Sequence, residues 1–350
     1  MAWWRLQSHS GQVRRKPGIR AIRDNSVESG IPAWFSRRAL LRAAVFDTRG
    51  QDLWAQRPTV ATSVATGVIE GVREDAIAVH SGQATEFFGV SPSTVTWLGA
   101  RVSPTALRTG DPVVIRYRRQ DAAPKQRLAE RIWARAGRVT GAILKVDGSE
   151  FLVDAGRRDK TPQRVVLAPA SSRQIQVRFP RLAPGYLLDV IGTRHGDHLL
   201  AVSPATAQPP YHAGHSPRPP LTAGHVTVPI SGSAVWHEPD DEPPGLLGLA
   251  YPAIDPETAA QPAHGGTGCV RLPYLSLGST VRIRNECTDR TAVLPVTSDG
   301  AMAREFCDRC VMCGTSPKGR IADLTMAAFV ELGGNLEDGC FNATLTTMTG

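Results

Sequence analysis

Short runs in which apolar and polar residues alternate recur along the first two thirds of the chain. They include residues 67–72 and 76–80, and again residues 137–141 and 151–154. A period of two, bounded by Gly, Pro and Asp, is typical of half-buried strands separated by turns. The pattern therefore predicts a mainly β protein with many short strands.

The order of these strands repeats. A Gly-x-Val strand, a hydrophobic strand and a Leu-x-x-Gly-x-x-Val strand recur at an offset of about 70 residues. This spacing predicts two small barrels of the OB or SH3-like kind, over residues 61–122 and 135–204. Residues 125–135 between them are interpreted as a short helix or connector, and residues 175–179 as a strand. Chance alternation would produce the same impression of a repeat.

Two further segments are predicted from composition. Residues 205–244 are rich in proline, with His212, His215 and His225 dispersed between the prolines, which indicates an extended linker. Residues 1–60 are turn-rich and are expected to be poorly ordered, at least at their start. Within them, residues 36–46 resemble a degenerate twin-arginine export signal, although an amphipathic helix explains the same residues.

The last third, residues 245–350, has the most distinctive local pattern. Gly319 ends a basic turn, and an apolar strand follows that contains one carboxylate, Asp323. Thr325 is placed to cap a short helix, because its hydroxyl can accept a bond from a backbone N–H of the first turn. Residues 340–346 alternate and predict a closing strand. Asp323 is then either a structural carboxylate bonded to nearby backbone or a functional group where a strand meets a helix.

All six cysteines lie in this last third. An even number within about a hundred residues is typical of a disulfide framework outside the cell. A zinc or iron–sulfur site is the alternative, because three of the cysteines follow one another at Cys-x2-Cys-x2-Cys spacing. We expect disulfides, with the pairing undetermined, among Cys269, Cys287, Cys307, Cys310, Cys313 and Cys340.

Charge and hydropathy narrow the classes of partner. The formal net charge is +8, but the arginines are dispersed and no basic run alternates with aromatic residues, so we expect no nucleic-acid partner. No apolar run approaches the eighteen or so residues that a membrane-spanning helix needs, so we expect no transmembrane segment.

Three segments of the last third resemble strands of one protein family, and they occur in the same order as in that family. They are residues 277–285 (Leu-Gly-Ser-Thr-Val-Arg-Ile-Arg-Asn), residues 291–300 ending in Ser-Asp-Gly, and residues 319–329 (Gly-Arg-Ile-Ala-Asp-Leu-Thr-Met-Ala-Ala-Phe). Together they resemble the rare-lipoprotein-A-like and expansin-like double-psi β-barrels. The resemblance implies a six-stranded double-psi barrel over residues 245–350, after the two small barrels, and a protein that is secreted or located at the cell surface.

The resemblance also implies site residues and a function. Asp323 matches the essential acid of expansins, and Asp299 matches a second acid only loosely, because Ser298 occupies its slot. Tyr251, Tyr274 and Ser298 are candidate glycan-binding residues, the two tyrosines because aromatic rings offer a flat apolar surface to a sugar. No histidine occupies the position that the lytic members use. We therefore expect a barrel that binds or loosens peptidoglycan or another wall glycan without efficient hydrolysis, and without a cofactor or metal. The alternatives are an active lytic transglycosylase and a structural or adhesive surface protein with an inactive barrel.

Overall fold

A computed structural model describes most of the chain beyond residue 61. The described residues are 62–82, 84–119, 127–156, 161–207, 209–210, 212–213, 229–238, 245–255, 270, 272–300, 302–312 and 319–348. The predictions for residues 1–60, including the export signal, lie outside these ranges. The same is true of Cys269 and Cys313.

The first barrel is a seven-stranded sheet that closes on itself where β3 pairs with β7. Its strands follow the order β3-β2-β1-β6-β7-β4-β5. They are β1 (Thr62–Val72), β2 (Ala76–Ser81), β3 (Ala84–Gly89), β4 (Val95–Trp97), β5 (Arg101–Val102), β6 (Pro112–Arg119) and β7 (Arg127–Ala134), with a 3-10 turn at Pro104–Ala106. The prediction of a helix or connector over residues 125–135 is wrong, because β7 is a central strand that pairs with both β6 and β4.

The second barrel is closed and five-stranded, in the order β10-β12-β11-β8-β9. Its elements are β8 (Ala136–Asp147), β9 (Glu150–Asp154), β10 (Gln163–Leu167), helix α1 (Ser172–Arg178), β11 (Leu187–His195) and β12 (His198–Pro204). A helix between the third and fourth of five strands suits an OB-like barrel. Residues 175–179, predicted as a strand, lie mainly in α1, where only Ile175 is buried.

The third barrel is closed and six-stranded, as predicted, but it begins earlier than predicted. Its elements are β13 (Ile230–His237), β14 (Leu249–Tyr251), β15 (Thr280–Asn285), β16 (Thr291–Asp299), β17 (Arg320–Thr325), helix α2 (Met326–Glu331) and β18 (Cys340–Thr347), with 3-10 turns at Ala303–Glu305 and Leu336–Asp338. Strand β13 lies inside the segment that composition predicted to be a linker. Thr325 caps α2 as predicted, since its hydroxyl accepts a bond from the Ala328 N–H.

The pairing in the third barrel is pseudo-symmetric. The order is β13-β17-β14-β16-β15-β18, with parallel pairs β13–β17 and β14–β16. If the strands are numbered along the chain and β13, β14 and β15 are exchanged with β16, β17 and β18, every strand pair becomes another observed pair or itself. This internal twofold relation is the one expected of a double-psi barrel. The end of β17 lies beside the end of β13 and the start of β14.

A buried charge network joins the second and third barrels. Arg138 of β8 donates to both carboxylate oxygens of Asp189 in β11, at 2.8 and 2.6 Å. Arg320 of β17 donates to Asp189 and to Asp308, each at 2.6 Å. Arg138 also donates to the carbonyl oxygen of Gly339, at 2.7 Å. Two arginines therefore balance two aspartates inside the interface.

Most polar atoms of this network have hydrogen-bond partners within it. Thr140 and Thr206 donate to Asp189 at 2.8 and 3.0 Å, and Ser233 donates to Asp308 at 3.1 Å. Burial by itself would raise the pKa of Asp189, but Arg138 and Arg320 outweigh it and lower the pKa to about 2. Asp189 is thus ionised throughout the ordinary pH range.

The close approach of the two barrels also requires glycine at position 339. Its φ is +77°, in the left-handed region. A Cβ there would lie 2.6 Å from Ile191 Cδ1 and 2.8 Å from the backbone of Ala205. Both contacts belong to the second barrel, so a side chain would separate the interface.

Replacing Asp189 tests the network. We expect Asp189→Asn to lower the free energy of unfolding by about 3–5 kcal/mol at neutral pH, because it leaves buried arginines unpaired. Asp147→Asn is the matched control, since Asp147 is exposed at the end of β8, and it should change stability by less than about 0.5 kcal/mol. Chemical denaturation of both variants measures the difference, and equal stabilities would contradict a stabilising role.

The lowered pKa of Asp189 also predicts how the stability of the protein depends on pH in acid. Its pKa is about 2 in the folded chain and about 3.9 when unfolded. Its contribution to stability is therefore complete above about pH 4 and is lost as the pH falls towards 2. Denaturation midpoints between these values should fall more steeply for the native chain than for Asp189→Asn. Parallel profiles would contradict the assignment.

Candidate functional site

Asp323 lies near the end of β17, between β13 and β14. It pairs in register with Val235 on one side and Ala250 on the other. Its neighbours in β17, Ala322 and Leu324, belong to the core of the barrel. Because side chains alternate along a strand, Asp323 points to the outer face. Its side chain is 15% exposed.

His237, the last residue of β13, is the partner that sequence reasoning missed. Its Nδ1 lies 3.4 Å from Asp323 Oδ1, and its side chain is 21% exposed. His237 had been assigned to the linker, so no candidate role was given to it. The alternation of Ala234, Val235 and Trp236 before it is the signal that would have identified the strand.

The electrostatic environment keeps Asp323 ionised. Burial would raise the pKa of Asp323, but His237, Arg320 and Arg138 outweigh burial and hold that pKa below its usual range. The carboxylate is therefore an acceptor of hydrogen bonds near neutral pH. A group with a lowered pKa is a poor general acid, because little of it is protonated at that pH.

The two predicted acids do not share a face. Ser298 and Asp299 of β16 pair in register with Ala250 and Tyr251 of β14. Directly paired residues lie on the same face of a sheet, and successive residues alternate. Ser298 therefore shares the outer face with Asp323, whereas Asp299 points to the opposite one. Asp299 and Ser298 are both half-buried.

The two predicted glycan-binding tyrosines differ. Tyr251 is 0% exposed and belongs to the core of the barrel. Its hydroxyl donates to the carbonyl oxygen of Pro273 at 3.0 Å. The prediction that its ring contacts a sugar is wrong, because the apolar interior covers the ring. Tyr274 is half-buried and stays a candidate.

The cysteines divide into two groups. Cys287 and Cys307 are disulfide-bonded, which agrees with the predicted framework. Cys310 and Cys340 carry buried thiols instead, so their assignment to disulfides is not met in this structure. Across the described part of the chain, no cluster of three or more His, Cys, Asp or Glu side chains is arranged to hold a metal.

A cavity lies where the three barrels meet, and its wall includes sequence neighbours of the Asp323–His237 pair but neither member of the pair. Its volume is about 350 Å³, and Glu238 and Thr325 belong to its wall. Glu238 directly follows His237, and it forms an ion pair with Arg194 at 2.9 Å. The rest of the wall is mainly apolar and includes Val68, Val114, Trp133, Leu246, Met326 and Ala327. A cavity of this size, mostly apolar with a few polar groups, suits a small-molecule group.

The wall of the cavity is held by contacts between barrels. Glu337, from the turn after α2, accepts bonds from Arg131 and from the indole N–H of Trp133 in β7. Asn335 accepts from Arg116 at 3.2 Å. These contacts fix the first barrel against the third around α2.

Of the helices in the described residues, none is long and apolar enough to cross a membrane.

Comparisons with known proteins give no family. No protein-family model and no curated protein matches the chain. Among solved structures, a Cu(II)-bound CusF variant from Escherichia coli is 21% identical and aligns over 22% of this chain and 95% of that one, with a TM-score of 0.18. A multidomain protein with nucleic acid binding domains from Streptococcus pneumoniae is 17% identical over 47% of this chain and 57% of that one, with a TM-score of 0.16. At these scores neither similarity bears on function.

Removing one hydroxyl distinguishes a core role from a sugar-binding role for the tyrosines. We expect Tyr251→Phe to lower the free energy of unfolding by about 1–3 kcal/mol, because the buried Pro273 carbonyl loses its donor. Tyr274→Phe is the matched control at a half-buried position and should change stability by less than about 0.5 kcal/mol. Thermal unfolding of the two variants measures this, and an unaffected Tyr251→Phe would contradict the assignment.

Proposed function

We propose that this is a secreted or surface-attached protein whose six-stranded barrel binds peptidoglycan or a related wall glycan without efficient hydrolysis. The observation that carries the proposal is the partly exposed, ionised Asp323 beside His237. It stands where the resemblance to rare-lipoprotein-A-like and expansin-like barrels places an essential acid. A carboxylate accepts hydrogen bonds from sugar hydroxyls, and such charge-assisted bonds are strong.

The site favours binding over cleavage for two reasons. Cleavage by the usual route needs two placed carboxyl groups, one of them protonated at the leaving oxygen. Asp323 is kept ionised, and Asp299 lies on the other face of the sheet. His237 supplies a second polar group beside Asp323, and the cavity lined by Glu238 and Thr325 offers an apolar wall for a substituent of the polymer.

The disulfide-bonded cysteines support the proposed location. Cys287 and Cys307 are both in disulfides. Disulfides persist in oxidising compartments and are rare in reducing ones. A protein that carries them in its glycan-binding barrel is therefore suited to work outside the cell membrane.

Retention on purified sacculi tests the proposal. We expect the full chain to be retained and Asp323→Asn to bind roughly 10–100-fold more weakly, as loss of a charge-assisted hydrogen bond predicts. Asp299→Asn is the matched control, because Asp299 faces the other side of the sheet, and it should bind like the native chain. Thermal unfolding of each variant confirms that the comparison is between folded proteins.

The products of the same incubation separate the alternatives. If the barrel binds the glycan without cleaving it, the native chain releases no anhydro-muropeptides. Their release, lost in Asp323→Asn, would replace the proposal with an active lytic transglycosylase. Failure of the native chain to bind sacculi would favour a structural or adhesive protein with an inactive barrel.

A further inference from the structure

Two buried thiols stand side by side on the outer face of the third barrel. Cys340 begins β18 and pairs in register with Val235 of β13. Cys310 lies in the loop that follows the 3-10 turn at Ala303–Glu305. The two cysteines pack together with Val235 and Val311 in a small apolar cluster of their own.

The thiols interact directly with each other. The side chains of Cys310 and Cys340 are hydrogen-bonded, and the Val311 N–H donates to the Cys340 sulfur. Burial, followed by the neighbouring Cys310, raises the pKa of the Cys340 thiol well above its usual value. Cys340 is therefore a protonated thiol, and it contacts Cys310, which also carries a thiol, while Cys287 and Cys307 of the same barrel are already oxidised.

We propose that Cys310 and Cys340 form a redox couple that closes to an additional disulfide by exchange with a disulfide-bearing oxidant. The barrel would then exist in two states, with this one bond open or closed. Because the two side chains are already hydrogen-bonded and packed in one cluster, closing this bond needs little movement of the chain.

The exchange balances in two steps. The Cys310 thiolate attacks the oxidant's disulfide, which forms a mixed disulfide and releases one oxidant thiolate. The Cys340 thiolate then attacks the Cys310 sulfur and releases the second. The protein loses two electrons, which the oxidant gains, and the two thiol protons leave with the two oxidant thiols. We assign the first attack to Cys310, which is 5% exposed in a loop close to exposed Met312, rather than to Cys340, which is 2% exposed in a strand.

Closure would act on the charge network between the barrels. Asp308, two residues before Cys310, accepts bonds from Arg320 and Ser233. Arg309 pairs with Ala207 of the second barrel through two backbone bonds, at 3.0 and 3.1 Å. A bond from Cys310 to Cys340 would tie this loop to β18 and so restrict the segment that supplies Asp308.

Peptide mapping of the full chain tests the couple. The protein is equilibrated in buffers of increasing glutathione disulfide over glutathione, quenched by alkylation under denaturing conditions and digested. We expect a linked Cys310–Cys340 peptide whose fraction rises and falls reversibly with the buffer ratio. Cys310 and Cys340 that stay fully alkylated in every buffer, or that pair with other cysteines, would overturn the proposal.

Matched variants link the bond to stability. We expect the oxidised native chain to unfold about 5–10 °C above its reduced form, measured with the other disulfides intact. Cys310→Ala and Cys340→Ala should each lose that shift and retain one thiol that is alkylated after denaturation. A shift that persists in either variant would show that another cysteine pair produces it, and would overturn the proposal.

Discussion

The structure depends on a neutral cluster of four charges buried between the second and third barrels. Asp189 lies at its centre and accepts from Arg138 of its own barrel and from Arg320 of the other. Desolvation of so many charges is costly, and the cost is met only while every partner is in place. The two barrels are therefore held in one arrangement, with the start of β17 fixed at their interface.

This constraint extends to the candidate site. Arg320 begins the strand that carries Asp323, and Arg138 lies close enough to lower the pKa of that carboxyl. Glu238, which follows His237, accepts from the backbone N–H of Arg138 at 2.6 Å. The groups that hold the barrels together thus also set the charge and position of the acid. A glycan-binding surface formed here would be rigid rather than adaptable.

The sequence predicted the parts of the fold in which local pattern and tertiary structure agree. Alternation identified β18, the family resemblance marked β15 and β16, and the cap at Thr325 was predicted from one hydroxyl before an apolar run. Prediction from sequence failed where strand pairing in the folded protein overrode the local helix propensity of a segment. The Leu, Ala, Glu and Arg residues of β7 favour helix in isolation, but β7 is a strand because β6 and β4 flank it. His237 was missed for a related reason: its partner Asp323 is distant in sequence, and prolines around β13 concealed the strand.

The position of β13 has a consequence for how the chain is made. Among the strands that the structure describes, β13 pairs only with β17 and β18, which are the last two strands of the third barrel. The third barrel is therefore unable to close while it is being synthesised, whereas the first two barrels are complete in sequence long before. Pairings across such long stretches of chain fold slowly and leave strand edges exposed meanwhile. During this interval the nascent chain would carry two finished barrels and one unpaired strand, β13, until β17 and β18 have been made.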